Sequence, residues 1–321
     1  MSTTPKKRIG LVGARGHVGR ELLRLLEADA SCEVVFVSSR GGAGARAGDA
    51  IGATGRFADL ILEDLRPADI DGRGVDGVVL GLSNGQSDPW VQALPPRVRL
   101  VDLSADHRFD DASTGFVYGV TEKHRDRVRD AQRIANPGCY ATAAQLALWP
   151  FEKDVVRAHV FGVSGYSGAG STPSPKNDLQ ILTDSILPYD LVGHTQEREL
   201  QRHTGVNLSF MPHVAPFFRG ITVTVSLDLR RGIDVDEAHG LLAERFAKEP
   251  LVEVMSGHNP PMVQQVREKN GVIIGGVHAD PEHKRLVVVA VIDNLLKGAA
   301  TQALQNLHLM LGVPELSGIT P

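Results

Sequence analysis

Glycines 13, 16 and 19 stand between an apolar run, Arg8 to Val12, and a stretch of helical apolar period, His17 to Ala28. Such a segment turns tightly, brings backbone close to a pyrophosphate and packs helix hard against strand, which suits a parallel sheet with crossover helices. The alternation continues. Further strand candidates are Cys32 to Ser38, Gly77 to Leu82, Arg99 to Leu103 and Arg133 to Ala135, with helical stretches such as Asp88 to Leu94 between them. The Gly/Ala-rich piece Gly41 to Gly55 reads as a flexible loop.

From about Phe151 the texture changes. Long strand-like runs cover Val155 to Val163, Val206 to Phe210, Ile221 to Leu229, Gly271 to Val277 and Arg285 to Ile292, with one helix from Val235 to Lys248. That pattern predicts a mostly antiparallel α+β domain. Gly165 to Pro175 reads as loop, and Lys297 to Leu311 as a last helix whose Ala300, Ala303, Leu304, Leu307 and Leu311 need a partner surface. The predicted architecture is α/β. A Rossmann-type dinucleotide-binding domain spans residues 1–140 plus the C-terminal helix 297–321, and a catalytic and oligomerisation domain of α+β type spans 141–296.

The cofactor candidates begin with the turn itself, Gly13, Arg15, Gly16, His17, Val18 and Gly19. The next strand ends in Val37-Ser38-Ser39-Arg40, with neither Asp nor Glu where a ribose 2′-hydroxyl acceptor would sit. Two hydroxyls and an arginine can hold a 2′-phosphate, which favours NADP(H) over NAD. The competing reading is that Ser38 and Ser39 end the strand and Arg40 is solvated.

Charge excludes some partners. With 34 basic and 38 acidic residues mixed along the chain, net −4, no field of one sign is available for nucleic acid or an anionic membrane. The N-terminal Met-Ser-Thr-Thr-Pro-Lys-Lys-Arg lacks the apolar stretch of a signal peptide, and no later apolar run reaches the roughly 18 residues that span a bilayer. A cytoplasmic enzyme is the expectation. The 2 cysteines offer no C-x-x-C pair, so neither a disulfide framework nor a metal is expected.

Cys139 follows the break Asn136-Pro137-Gly138 and opens a helix-like period. Backbone N–H groups and the helix dipole favour an anion there, so a sulfur in that place can ionise below its usual pKa of roughly 8.5. The bland alternative is a small apolar residue packed under a turn. A thiolate beside a nicotinamide suggests attack on an activated carbonyl followed by hydride transfer. Such chemistry needs an acid/base partner. Among 12 histidines, His194 in Gly193-His-Thr-Gln-Glu-Arg-Glu and His213 in Phe210-Met-Pro-His-Val-Ala-Pro are the local candidates, and either can equally be a structural histidine.

The motifs Asp102-Leu-Ser-Ala-Asp-His-Arg108-Phe, Val117-Tyr-Gly-Val-Thr-Glu122, Ala135-Asn-Pro-Gly-Cys-Tyr140, Ser164-Gly-Tyr-Ser-Gly-Ala-Gly170, Phe210-Met-Pro-His-Val-Ala-Pro216 with Arg219-Gly-Ile221, and Asp293-Asn-Leu-Leu-Lys-Gly-Ala-Ala300 run nearly the length of the chain. Together they resemble the N-acetyl-gamma-glutamyl-phosphate reductase family, NADPH-dependent enzymes of arginine biosynthesis related to aspartate-semialdehyde dehydrogenase. The resemblance implies Cys139 as nucleophile and His194 as acid/base. It implies Arg108, Arg219 and His213 as substrate or phosphate contacts, and Ser83, Ser164, Gly165 and Asn294 near the cofactor. It implies a homo-oligomer, dimer or tetramer, acting on a small acidic acyl phosphate. An aspartyl or aminoadipyl acyl-phosphate reductase is the nearest alternative, and a non-catalytic NADP-sensing protein the more distant one. The chain departs from the family pattern at Gln196, where proline is expected, at Ser83-Asn84-Gly85, where Pro-His-Gly is common, and at Arg15-Gly16-His17, where Ser/Thr-Gly-Tyr is usual.

Overall fold

The computed structural model describes residues 5–109 and 114–321; the start of the N-terminal segment Met-Ser-Thr-Thr-Pro-Lys-Lys-Arg, residues 1–4, lies outside the described residues. The chain divides into two compact units, Met1–Pro137 with Ala299–Thr320, and Gly138–Gly298.

The first unit holds seven strands, β1 (Lys7–Val12), β2 (Cys32–Ser38), β3 (Leu62–Glu63), β4 (Gly77–Leu80), β5 (Arg99–Asp102), β6 (Phe116–Tyr118) and β7 (Arg133–Ala135). They pair in the order β3-β2-β1-β4-β5-β7-β6, every pairing parallel. All four residues of β4 are buried in succession, the mark of a strand covered on both faces. Helices α1 (His17–Ala28), α2 (Ala47–Ile51), α3 (Asp88–Ala93) and α4 (Thr121–Asp130) connect the strands. The α1 leucines 22, 23, 25 and 26 are buried.

The glycine turn is held from two sides. Gly13 and Ala14 donate to the Ser38 carbonyl at 2.9 and 3.0 Å, tying the end of β1 to the end of β2. Gly13 has φ of +86°, and a β-carbon there would lie 2.2 Å from the Gly81 carbonyl oxygen. No other residue type fits that backbone without displacement.

Gly41 to Gly55 is not all loop. Ala47 and Ile51, one helical turn apart, are buried and nucleate α2, which Gly52 ends in the left-handed conformation at φ +70°.

The second unit opens with α5 (Cys139–Leu148) and continues through β8 (Val155–Gly165), α6 (Leu179–Leu182), β9 (Leu187–Pro188), α7 (Thr195–Thr204), β10 (Leu208–Ala215), β11 (Ile221–Leu229), α8 (Val235–Phe246), β12 (Val252–Val254), β13 (Val272–Asp280) and β14 (Arg285–Ile292). Strand order is β12-β13-β14-β11-β8-β10-β9. Pairing is antiparallel except at β8–β10 and β12–β13. Because α5 packs on β11 and β14, Cys139 belongs to this unit, a few residues ahead of the boundary that the sequence suggests.

The last helix differs from expectation in shape. A π-type turn spans Leu296–Ala300, and α9 (Thr301–Leu311) follows in the first unit. Residues Thr301 to Met310 are buried all round, and the polar ones reach partners instead of solvent: Gln302 and Asn306 donate to the Gly119 carbonyl at 2.9 and 2.8 Å.

Candidate active site

In the second unit the chemistry collects around the start of α5. Gly138 is the N-cap in extended conformation and Cys139 the first helical residue, half-buried. Residues Tyr140 to Leu148 are all buried, which fixes the helix from every side. Opposite the cysteine, a β-carbon built on Gly298 would stand 2.8 Å from Cys139 Cβ.

Two side chains of α7, one turn apart, grip that helix start. Glu199 Oε1 accepts from Gly138 N–H at 2.8 Å, and Gln196 Oε1 accepts from Ala141 N–H at 3.0 Å. These are N–H groups that a helix leaves without internal partners. Glu199 is fully buried. Its carboxylate draws on the same positive helix end that was expected to serve the sulfur alone.

His194 is the N-cap of α7 and its Nδ1 accepts from Gln196 N–H at 3.0 Å. The ring lies edge-on to Tyr189 and Phe210 at centroid distances of 5.6 and 5.3 Å. Burial lowers its pKa below the ordinary value; Lys176 lowers it further, while Asp190, Glu199 and Glu197 pull the other way. Glu197 itself accepts from Gly193 and Phe210 N–H at 2.7 and 3.1 Å, pinning α7 to β10. Tyr140 packs edge-on to Phe210 at 4.9 Å and donates to the His213 carbonyl at 2.7 Å. Burial raises the pKa of Tyr140 and of Tyr189, so both stay phenols near neutral pH.

His213 is not brought to this group. Side chains alternate along β10, and Phe210 faces Tyr140 and His194, so the His213 ring stands on the other face of the sheet, 4.4 Å from the Phe161 ring. Only its carbonyl serves the α5 side.

Ser164 and Gly165 end β8. Ser164 is buried and bonds the Gly165 carbonyl at 2.8 Å, while a β-carbon at Gly165 would meet the Phe218 carbonyl at 2.6 Å. Asn294 accepts from Gly220 N–H at 2.7 Å and donates to Ser167 Oγ at 2.9 Å, a brace under the same loop. Arg219 is buried against Asp293, Nε to Oδ2 at 2.7 Å and Nη2 to Oδ1 at 3.1 Å. That bidentate pair fixes the plane of the guanidinium.

In the first unit, the start of α1 carries no side-chain cap and, among the described residues, no acid in its first turn. With Gly16 as N-cap and Gly13 and Gly19 pressed against backbone, the turn fits an anion lying on the helix N-terminus. His17 and Val18 are half-buried in the first turn. Arg15 is exposed and reaches the Gly41 carbonyl at 2.8 Å. Ser38 and Ser39 are buried, and Arg40 is 92% exposed with Asp64 a loose 3.9 Å away. Ser83 is exposed on the loop after β4.

Arg108 donates from Nε to the Asn136 carbonyl and from Nη2 to the Leu103 carbonyl, each at 2.8 Å. The loop before it is set by buried Asp102, bonded to Ser87, Ser104 and His107 at 2.8 to 2.9 Å. Burial would raise the Asp102 pKa, and those hydrogen bonds overcome it to keep the group below the ordinary carboxylate value.

Among the described residues, Asp29, Cys32 and His308 lie close enough to share a metal ion. Their chemistry argues for a structural tie instead. Asp29 accepts from Ser31 Oγ at 2.6 Å, from Ser317 Oγ and from His308 Nε2 at 3.0 Å, and burial with Asp29 alongside pushes the Cys32 thiol up to about 12. A thiol must deprotonate to ligate.

Sequence reasoning singled out Gln196 only as a departure and passed over Glu199, Glu197 and Asp293. A period of three along Gln196, Glu199 and the following turn was the available signal, but it does not say what the face meets.

Comparison with known proteins is consistent along the whole chain. Residues 8–131 match the family model described as semialdehyde dehydrogenase, NAD binding domain, and residues 139–294 that of the semialdehyde dehydrogenase dimerisation domain. The N-acetyl-gamma-glutamyl-phosphate reductase of Xanthomonas campestris pv. campestris (strain B100) is 46% identical over 321 residues, 99% of each chain. That of Stenotrophomonas maltophilia (strain R551-3) is 46% identical over 317 residues, 97% of each. Aspartate semialdehyde dehydrogenase II of Vibrio cholerae has a similar fold, with TM-score 0.77 at 20% identity over 96% of this chain and 99% of that one. The Candida albicans aspartate semialdehyde dehydrogenase with NADP gives 0.75 at 17% identity, over 95% and 98%. Among the described residues, no helix is long and apolar enough to cross a membrane.

Proposed function

Because the chain belongs to the N-acetyl-gamma-glutamyl-phosphate reductase family, we propose that it reduces N-acetyl-γ-glutamyl phosphate with NADPH to N-acetylglutamate 5-semialdehyde, phosphate and NADP, a step of arginine biosynthesis in the cytoplasm. The observation that carries this reading is the arrangement around α5. One short helix, α7, bears His194 at its cap and holds the first turn that carries Cys139.

Cys139 Sγ attacks the acyl carbon, a C–S bond forms, and the C–O bond to phosphate breaks, leaving a thioester. Bound NADPH supplies a hydride to that carbon. His194 partners the carbonyl oxygen as charge gathers on it. The C–S bond then breaks, releasing the aldehyde and returning the sulfur to Cys139. Gly13, Gly16 and Gly19 would hold the pyrophosphate, with Arg15, His17 and Val18 beside it. Ser38, Ser39 and Arg40 would hold the 2′-phosphate; Arg40, 92% exposed with only a loose Asp64 contact, is held by little that a phosphate would have to displace. Ser83, Ser164, Gly165 and Asn294 are assigned to the nicotinamide side, the last by bracing the Ser167 loop. Arg108 is assigned to the leaving phosphate and Arg219 to the substrate carboxylate, each already oriented by its own partners.

Self-association is part of the reading. One sheet face of the second unit presents Phe161, 42% exposed, and the stretch from α6 to α7 exposes Ile181, Ile186, Leu191 and Val192. Apolar area of that kind marks an interface, here between copies as dimer or tetramer.

The test is the phosphate-dependent reverse reaction, following NADP reduction with N-acetylglutamate semialdehyde, aspartate semialdehyde and an aminoadipate semialdehyde in parallel. Preference for the first supports the assignment. Preference for another moves the chain to that substrate, and inactivity with all three favours a sensing role.

A further inference from the structure

We propose that Gln196 is a positioning residue: its main-chain N–H fixes the neutral His194 ring with the proton on Nε2, and its side-chain carbonyl locks the same segment to the first turn of α5. The inference rests on the roles assigned above to Cys139 and His194. Both hydrogen bonds are unambiguous in direction, because a backbone N–H can only donate. Gln196 N–H points to His194 Nδ1 at 3.0 Å, so that nitrogen must present its lone pair. Ala141 N–H points to the Gln196 side chain at 3.0 Å, so the amide oxygen must face it.

Two consequences follow for the chemistry. The ring meets a reacting oxygen as an N–H donor and not as a lone pair, which suits an oxyanion formed when hydride adds to a thioester. Protonating Nδ1 would set two N–H groups against each other, so the tie opposes the imidazolium. Other groups facing the ring are Asp190, Glu197 and Glu199, which favour the cation, and Lys176, which disfavours it; Tyr189 and Phe210 pack at its edges. The side-chain tie acts on distance. With Gln196 at the second helical position of α7 and Ala141 at the third of α5, cap and nucleophile are joined through one residue.

Gln196→Ala keeps the N–H and removes the tie; Gln196→Glu restores an acceptor; Gln196→Pro removes both bonds at a position where a first-turn proline is sterically allowed. Nitrogen-15 NMR of the histidine rings, with the His194 signal assigned by its loss in His194→Asn, reads the tautomer in the full-length protein. The expected result is an unprotonated Nδ1 in the wild type and in Gln196→Ala, with mixed tautomers and an upward shift of the ring pKa in Gln196→Pro. Turnover should fall roughly fivefold to tenfold in Gln196→Ala at nearly constant KM, and rise again above the Gln196→Ala level in Gln196→Glu while staying below wild type, because the restored acceptor also brings a charge to the α5 start. A protonated Nδ1 in the wild type, an unshifted ring in folded Gln196→Pro, or unchanged turnover in Gln196→Ala overturns the proposal. Should Gln196→Pro not fold, the wild-type tautomer and the Ala/Glu pair decide it alone. Cys139→Ser and His194→Asn run alongside: turnover close to wild type in either overturns the active-site reading, whereas strongly impaired controls with unaffected Gln196 variants overturn this inference only.

Discussion

Glu199 Oε1 lies 2.8 Å from the backbone nitrogen of Gly138, the residue immediately before Cys139. A buried carboxylate therefore shares the helix end with the sulfur and opposes its ionisation. Glu199→Gln retains an oxygen for Gly138 N–H and removes the charge. Alkylation of Cys139 by iodoacetamide near neutral pH is expected to speed up several-fold, because reactivity follows the thiolate fraction. An unchanged rate in a protein with unchanged melting would mean that the carboxylate does not act on the thiol.

The two cysteines should separate cleanly. Cys32 is 1% exposed and its thiol is pushed up to about 12, first by burial and then by Asp29. Mass spectrometry after brief alkylation of the native protein should show one label, on Cys139, and a second only in denaturant. Cys139→Ser should nearly abolish turnover while cofactor still binds, and Cys32→Ser should retain activity. Equal losses in both variants would deny Cys139 its special role.

Arg40 tests the cofactor assignment. Arg40→Ala is expected to raise KM for NADPH by roughly ten- to hundredfold, the scale of a lost charge-assisted contact, and leave that for NADH almost unchanged. The Asp64 contact is too loose and too exposed to confound the result. Equal changes for both cofactors would assign Arg40 a structural role.

His194 and His213 should differ in kind. His194→Asn is expected to lower turnover by roughly a hundredfold, and His213→Asn, whose ring sits on the other face of the sheet, to lower it far less. Stability carries a second signature. Burial holds the folded His194 pKa below its ordinary 6.5, so the unfolded chain takes up that proton first as the pH falls. The contribution is complete above 6.5 and is lost on acidification through the lowered folded value. Urea unfolding of wild type and His194→Asn across that window should show the difference between them shrinking toward acid; a constant difference removes the titration from the account.

The parallel sheet was legible because strands such as β4 are short apolar runs and α1 between β1 and β2 has helical period; β2 starts and stops where the sequence suggests, as do β11 and β14 in the second sheet. β3 and β6, at two and three residues, carry too few side chains to show any period. The helix start at Cys139 was legible from Asn-Pro-Gly, a local signal. Glu199 and Gln196 were not, since their partners lie 61 and 55 residues away along the chain. His213 shows the converse. Its motif is distinctive, but strand alternation, set by Phe210 packing on Tyr140, turns the ring away.

Gly298 leaves room for a hydrogen and nothing else opposite the β-carbon of Cys139. Any side chain at 298 would therefore press first on the β-carbon of Cys139, at 2.8 Å, and on the Asp293 carbonyl, at 3.1 Å. Gly298→Ala is thus a change that reaches the nucleophile through its own β-carbon, without adding or removing a charge. The helix start that presents the nucleophile is thereby tied to the absence of a side chain 159 residues further along the chain.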